Sequence, residues 1–251
     1  MRLNEIEGFE ERDVILAKFT KSEWVEDFLN GKLFMNNFNN FIEQEKKTKE
    51  KGQGDSYEAA LVTEAQGIRL YDQDNNLIAT SKRGHMIERY EDVKLIPLYC
   101  MALFDSTNFV VVEQTENSIS FKLDILDEEK VRLKSVFQAD KVILSFSPGV
   151  FVKRVKDKLM KIDSNFLCGS VKYVDYSIMD DQRRKNFDEM RPEFLFTKHN
   201  SLAYQREYRF VLPGIRSAEP SIYNIGDLRD LFNVVTIDQF LDECIIQMNF
   251  K

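Results

Sequence analysis

Along residues 194–212, FLFTKHNSLAYQREYRFVL, charged groups stand inside an otherwise apolar run. Read as a strand from Tyr204, period-2 alternation sets Tyr204, Arg206, Tyr208, Phe210 and Leu212 on one face. Gln205, Glu207, Arg209 and Val211 fall on the other. A carboxylate two residues after a carboxamide can hold a ribose hydroxyl and stabilise a developing sugar cation. The same pattern suits a half-exposed sheet on which Glu207 and Arg209 form an ion pair that sets register. Asp55, Tyr57 and Glu58 follow Gly52 and Gly54 as a second acidic set. They read either as an acidic cap at a helix N-terminus or as a further carboxylate source for the same cleft. Of the two histidines, His85 and His199, both in polar loop-like surroundings, His199 lies nearer the key strand.

Composition removes several function classes. A net charge of -7 argues against a general nucleic-acid or anionic-membrane binder. Hydrophobic content of 43%, with 20 Phe, is ample for a core. Cys100, Cys168 and Cys244 are widely spaced with no Cys-x-x-Cys, which disfavours zinc and suits a reduced, cytoplasmic chain. The acidic N-terminal stretch does not resemble a secretory signal, and no apolar run approaches the roughly 18 residues of a membrane span. P-loop, GxGxxG, GxSxG and HExxH motifs are absent. No metal is expected, because Asp55, Glu58 and Glu207 follow no ligand spacing rule.

The elements that must position these groups alternate. Residues 13–19 read as a strand, and Thr20 with Glu23 as a capping box. The helix that follows buries Trp24, Val25, Phe28 and Leu29 and stops at Asn30-Gly31. A strand over 32–36 leads to a helix carrying Phe38, Phe41 and Ile42, which runs into a charge run with Lys46, Lys47, Lys49 and Lys51. Residues 67–71 and 77–80 suggest a hairpin, and 93–103 a buried strand in which Pro97 marks an edge, a bulge or a start. Further strands fall at 108–113, 118–123, 141–147 and 171–176. After Pro148-Gly149 a helix turns Val152, Val155, Leu159 and Ile162 inward. Its other face, with Lys153, Arg154, Lys156, Lys158 and Lys161, is either solvated or an anchor for a phosphate or acidic partner. Residues 180–190 read as a polar helix or loop, and 225–232 and 237–246 as helix-like or mixed. The expectation is an α+β fold with a mixed, mainly antiparallel central sheet and flanking helices. It forms one domain over 1–251, with 214–251 as the stretch that could stand apart as an appendage.

Three segments in this order resemble a family of bacterial and phage proteins grouped as domain of unknown function 2971. The first is LAKFTKSEWVEDFLNGKLFMNNFNNF with GDSYEA downstream, the second VILSFSPG, and the third FTKHNSLAYQREYRF. The order is also similar to ADP-ribosyltransferase architecture, in which a first-strand His or Arg holds NAD, a Ser-bearing strand flanks the nicotinamide ribose and a last strand carries Gln/Glu-x-Glu. The resemblance implies an ADP-ribosyltransferase-like core with Lys18 and Thr20 at the first position, Ser145 and Ser147 at the second, and Gln205 and Glu207 at the third. Glu207 would be the catalytic carboxylate and Gln205 would orient the acceptor, with Arg209 and Tyr57 among the NAD contacts.

The activity so implied is that of a phage- or bacterium-encoded protein with NAD as substrate, passing ADP-ribose to a host macromolecule or cleaving NAD. Lys18 lacks the planar hydrogen-bonding geometry of His or Arg, and FVKRVKDKLMK replaces the aromatic elements usual after the Ser-Phe-Ser strand. A second expectation therefore stands beside the first: a non-catalytic phage-host conflict protein that binds a nucleotide signal or a host or phage defence protein. What decides is whether Lys18, Ser145, Ser147 and Glu207 face one cleft.

Overall fold

Val14, Ile15, Leu16 and Ala17 are all buried, so the first strand is covered on both faces and belongs at the centre of a sheet. The computed structural model describes residues 1–48, 52–178 and 180–250; Lys49, Glu50 and Lys51 of the charge run lie outside them. In chain order the elements are β1 (Asp13–Thr20), α1 (Ser22–Leu29), β2 (Lys32–Asn37), α2 (Phe38–Thr48), β3 (Leu61–Tyr71), β4 (Leu77–Glu88) and β5 (Pro97–Asp105). Then come β6 (Phe109–Gln114), β7 (Ser118–Leu123), α3 (Asp127–Phe137), β8 (Lys141–Ser145), α4 (Pro148–Leu159), β9 (Leu167–Ser170), β10 (Lys172–Val174) and α5 (Asp181–Asp188). The last are β11 (Thr197–His199), β12 (Glu207–Val211), β13 (Ser221–Asn224), β14 (Asn233–Thr236) and β15 (Ile245–Asn249). The result is a mixed α/β fold built on mainly antiparallel sheets, with β10–β11 a parallel pair.

The main sheet runs β13-β2-β5-β1-β8-β14, and β12 and β9 continue from the other side of β5. It forks at β5. One edge of β5 is paired with β12 over Leu98 to Ala102. The other edge is shared: β2 meets it at Pro97 and Leu98, and β1 at Ala102 to Asp105. Among the described residues no strand therefore lies beside Tyr99, Cys100 and Met101 on that edge.

Helices α1 and α4 cover one face of the sheet through Phe28, Leu29, Phe151, Val155 and Leu159, which pack with Leu16, Ile143 and Phe210. The other face carries two separate covers. Leu133 of α3, with Phe121 and Ile119 of the β15-β7-β6 sheet, packs over β1 and β8. Phe38 of α2 and Phe187 of α5 pack with Leu98 and Val211 at the β5–β12 end. Both the sheet and this second layer part at the same place.

Several elements differ from the sequence reading for local reasons. No Thr20 side-chain cap forms; Ser22 of α1 instead donates from its backbone N–H and its hydroxyl to the Asp140 carboxylate. Trp24 is exposed, because the buried stripe of this eight-residue helix is limited to Phe28 and Leu29 with Val25 beside them. Ile162 lies beyond the end of α4 and is exposed, while Phe151 takes the inward position. Pro97 begins β5 after a 3₁₀ turn at Glu91–Leu95. Of the strand expected over 171–176 only Lys172–Val174 forms, as β10, and β9 at Leu167–Ser170 precedes it where no strand was expected. Of the C-terminal segments expected as helix-like or mixed, 225–232 forms neither helix nor strand and is flanked by β13 and β14, while 237–246 gives a π-helical turn at Gln239–Glu243 and the start of β15. Helix α3 follows β7 in a stretch for which the sequence reading offered no element.

Gly31 closes α1 at φ +80, and a Cβ there would lie 2.0 Å from the Gly226 carbonyl oxygen. Gly31→Ala is expected to destabilise the fold by more than about 1 kcal/mol, read as a lower midpoint in urea unfolding.

Candidate functional site

The break in the edge of β5 opens into a cleft of about 270 Å³. Its floor is Leu98 to Ala102 of β5, and Ala17, Lys18 and Phe19 of β1 form one side. The opposite side comes from Phe34 and Asn36 of β2, Phe41 and Gln44 of α2, and Gly52 and Gln53. Phe137 of α3 stacks on Phe19 with ring centroids 4.9 Å apart, making an aromatic wall. At the inner end stand Glu58, Lys198, Gln205 and Glu207.

The inner end is a buried network of charges. Glu207 accepts from Arg209 Nε at 2.5 Å through Oε1 and from Lys198 Nζ at 2.7 Å through Oε2. Arg209, fully buried, donates Nη2 to both oxygens of Glu58 at 2.8 Å and Nη1 to the Leu195 carbonyl. Lys198 also reaches Glu58 at 3.0 Å and donates to Gln205 Oε1 at 3.1 Å. The Gln205 amide nitrogen donates to the Gly52 carbonyl at 2.6 Å. Two cations and two carboxylates thus share bonds out of water, an arrangement sustained only when each charge is paired.

The two carboxyls are pulled in opposite directions. Burial works against the charge of Glu207, but Arg209 and Lys198 outweigh it and hold the carboxyl well below its usual range. At Glu58 burial outweighs Arg209 and Lys198, and the pKa is raised. Burial likewise opposes the Lys198 ammonium, but Glu207 and Glu58 overcome it and keep that group protonated. Burial pushes the Cys100 thiol on the cleft floor well up, so it stays protonated rather than nucleophilic.

Local folding explains how Gln205 and Glu207 come together. The strand expected from Tyr204 starts only at Glu207: Asn200–Gln205 is a 3₁₀ turn and Arg206 closes it at φ +47. Arg206 leaves the sheet to pair with Glu129 of α3 at 2.9 Å. Gln205 therefore approaches Lys198 from a turn, not from a strand face. From Glu207 onward the expected alternation holds, with Glu207, Arg209 and Val211 buried on one face.

Residues paired directly across antiparallel strands point to the same face. Glu207 is opposite Ala102, Ala102 opposite Ala17, and Ala17 opposite Leu144. Ser145, next to Leu144 and opposite Leu16, points to the other face. It is buried there and accepts from the Ser147 backbone N–H at 3.3 Å, while Ser147 is exposed at the start of α4. Neither serine lines the cleft, and the expected convergence of both with Glu207 does not occur. Lys18 starts on the Ser145 face, opposite Ile143, but β1 leaves β5 after Ala17, and its Nζ reaches the Cys100 carbonyl at 2.8 Å through the break. Thr20, at the far end of β1, pairs with Lys141 away from the cleft. Tyr57 lies outside the cleft lining, its hydroxyl 3.3 Å from His85 Nδ1 and its ring against Tyr176.

No family model, curated protein or solved structure matches the chain. Lys198 is a site residue that the sequence reading does not name, although a lysine inside the apolar run FLFTKH is the type of residue that needs a buried counter-charge. Glu58 joins the cluster from a turn; no helix follows it for an acidic cap to serve. On the far face, Lys153 and Arg154 of α4 are paired with Asp157 and Asp230. Among the described residues no group of three or more His, Cys, Asp or Glu is placed to hold a metal, and no helix is long and apolar enough to cross a membrane.

Proposed function

We propose that the forked-sheet cleft binds the ring-and-sugar end of a nucleotide and does so without breaking a glycosidic bond. The observation that carries this reading is the state of Glu207: its two oxygens are engaged at 2.5 and 2.7 Å by Arg209 and Lys198. A carboxylate so compensated has little negative potential left for an oxocarbenium ion, which catalysis by charge stabilisation requires. The rest of the lining suits recognition. Phe34, Phe41 and Phe137 offer faces for a planar heterocycle, and Asn36, Gln44 and Gln53 bring carboxamides to its edges. The volume falls just short of the roughly 300 Å³ at which drug-sized pockets begin, which favours a base or nicotinamide with its sugar over an entire dinucleotide.

The second reading, NAD-dependent ADP-ribosyl transfer or NAD cleavage, is favoured by one observation: Glu207 and Gln205 both line this cleft. Calorimetry with mononucleotides and NAD, run beside an assay of nicotinamide release, separates the two. Saturable binding with release at background supports the binding reading. Release by the wild-type protein above background supports the transferase reading, and absence of binding to every nucleotide overturns the first. Phe34, on β2 at the cleft and 54% exposed, provides a variant that spares the core. Phe34→Ala is expected to weaken nucleotide binding by about 1–3 kcal/mol, the value of a lost stacking contact, with the unfolding midpoint unchanged.

A further inference from the structure

Among the described residues two lysines line the cleft, in contrasting surroundings. Lys198 is bound to two carboxylates at 2.7 and 3.0 Å and is fixed as a cation. Among the described residues no carboxylate lies within ion-pair distance of Lys18; its Nζ contacts the Cys100 carbonyl at 2.8 Å and lies 4.3 Å from the centre of the Tyr99 ring. It rises through the break in the sheet, so the amine stands beside Tyr99 in a cavity whose lining also includes Phe19 and Phe137. We propose that Lys18 is the reactive amine of the cleft and takes an aromatic or heteroaromatic aldehyde or ketone as an imine.

The chemistry is that of a desolvated lysine. The Nζ lone pair attacks the carbonyl carbon, the C–N bond forms, and the carbonyl π pair moves to oxygen, which takes a proton. The carbinolamine then loses its hydroxyl as water and a proton from nitrogen, leaving the C=N bond. Only the carbonyl compound is consumed and one water is released; no oxidant or reductant enters. Burial, the largest influence on Lys18, lowers its pKa, opposed by Cys100 and Glu207, which raises the share of neutral amine. The surrounding rings favour an aromatic over an aliphatic carbonyl. The inference rests on the reading that this cleft admits a small ring-bearing ligand, without requiring that ligand to be a nucleotide.

The test uses the whole wild-type protein with limiting pyridoxal at neutral pH, borohydride reduction, intact mass and peptide mapping. One reduced adduct per chain, mapped to Lys18 ahead of the surface lysines, is the expected result. Adducts spread over surface lysines with Lys18 unmodified would overturn the proposal, as would an adduct on Lys18 that forms no faster in folded protein than in urea. Lys18→Met should lose the specific adduct, and a folded circular dichroism spectrum confirms that the loss is local. Labelling at Lys18 in a protein that binds no nucleotide would sustain this inference and sink the nucleotide reading; nucleotide binding with Lys18 unlabelled would do the reverse.

Discussion

Arg209→Met should remove about 3–5 kcal/mol of stability, the range for breaking a buried ion pair from one side, out of the roughly 5–15 kcal/mol typical of a folded domain. The size follows from geometry. Arg209 is fully buried and its guanidinium serves Glu58 through Nη2, Glu207 through Nε and the Leu195 carbonyl through Nη1. Met fills a similar volume but leaves two carboxylates to share Lys198. Arg209→Lys is expected to recover only part of the loss, because an ammonium cannot reproduce the planar fork that addresses three acceptors. Urea unfolding of the three proteins checks this. If the Met variant came within about 1 kcal/mol of wild type, the cluster would be better described as a tolerated passenger of the fold.

Glu207→Gln is the second large effect, expected at about 3 kcal/mol near neutral pH, and its pH dependence identifies the cause. The folded pKa of Glu207 lies below the ordinary value of 4.5. Its ionisation therefore contributes stability above about pH 4.5, and that contribution is lost as pH falls toward the folded value. The gap between wild type and Glu207→Gln should narrow on acidification. Glu58 has the opposite sign: its folded pKa is raised above 4.5, so its contribution is present at low pH and declines as pH rises through the folded value. Glu58→Gln should cost less at neutral pH, and its gap to wild type should narrow as pH increases. Stability measured from pH 3.5 to 8 reads both slopes; parallel slopes would show that the two carboxyls titrate alike. Since Glu207→Gln perturbs folding, loss of any nucleotide activity in that variant has meaning only beside its measured stability.

The reach of the sequence is clearest at Glu207. Alternation marked Glu207, Arg209 and Val211 as sharing a face, since three residues of a strand carry their own periodicity. The fork in β5 depends on where β1 stops pairing at Ala17 and β2 starts at Leu98, and no local pattern records a long-range register. That unseen register put Ser145 on the face away from Glu207, although both sit on central strands as expected. The ion pair between Glu207 and Arg209 was anticipated as a surface device; that it is buried depends on Lys198 and Glu58, whose roles arise from segments about 140 residues apart. The buried strand β5, though not its start at Pro97, the hairpin of β3 and β4 and the glycine at the end of α1 were readable because each rests on neighbours in the chain. The C-terminal strands were not, because β13, β14 and β15 take their conformation from partners far upstream.

Those three strands also shape how the protein reaches its folded state. They attach to β2, β8 and β7, so residues 221–249 complete two ends of the main sheet and one edge of the small one. Synthesis from the ribosome supplies the partners long before these strands, and until they arrive β2, β7 and β8 each present an unpaired edge. Contacts of such wide sequence separation slow folding, and open strand edges invite pairing with other chains. The interval between making β8 and making β15 is therefore the time at which this chain is most exposed to aggregation, and the time at which a chaperone would have most to protect.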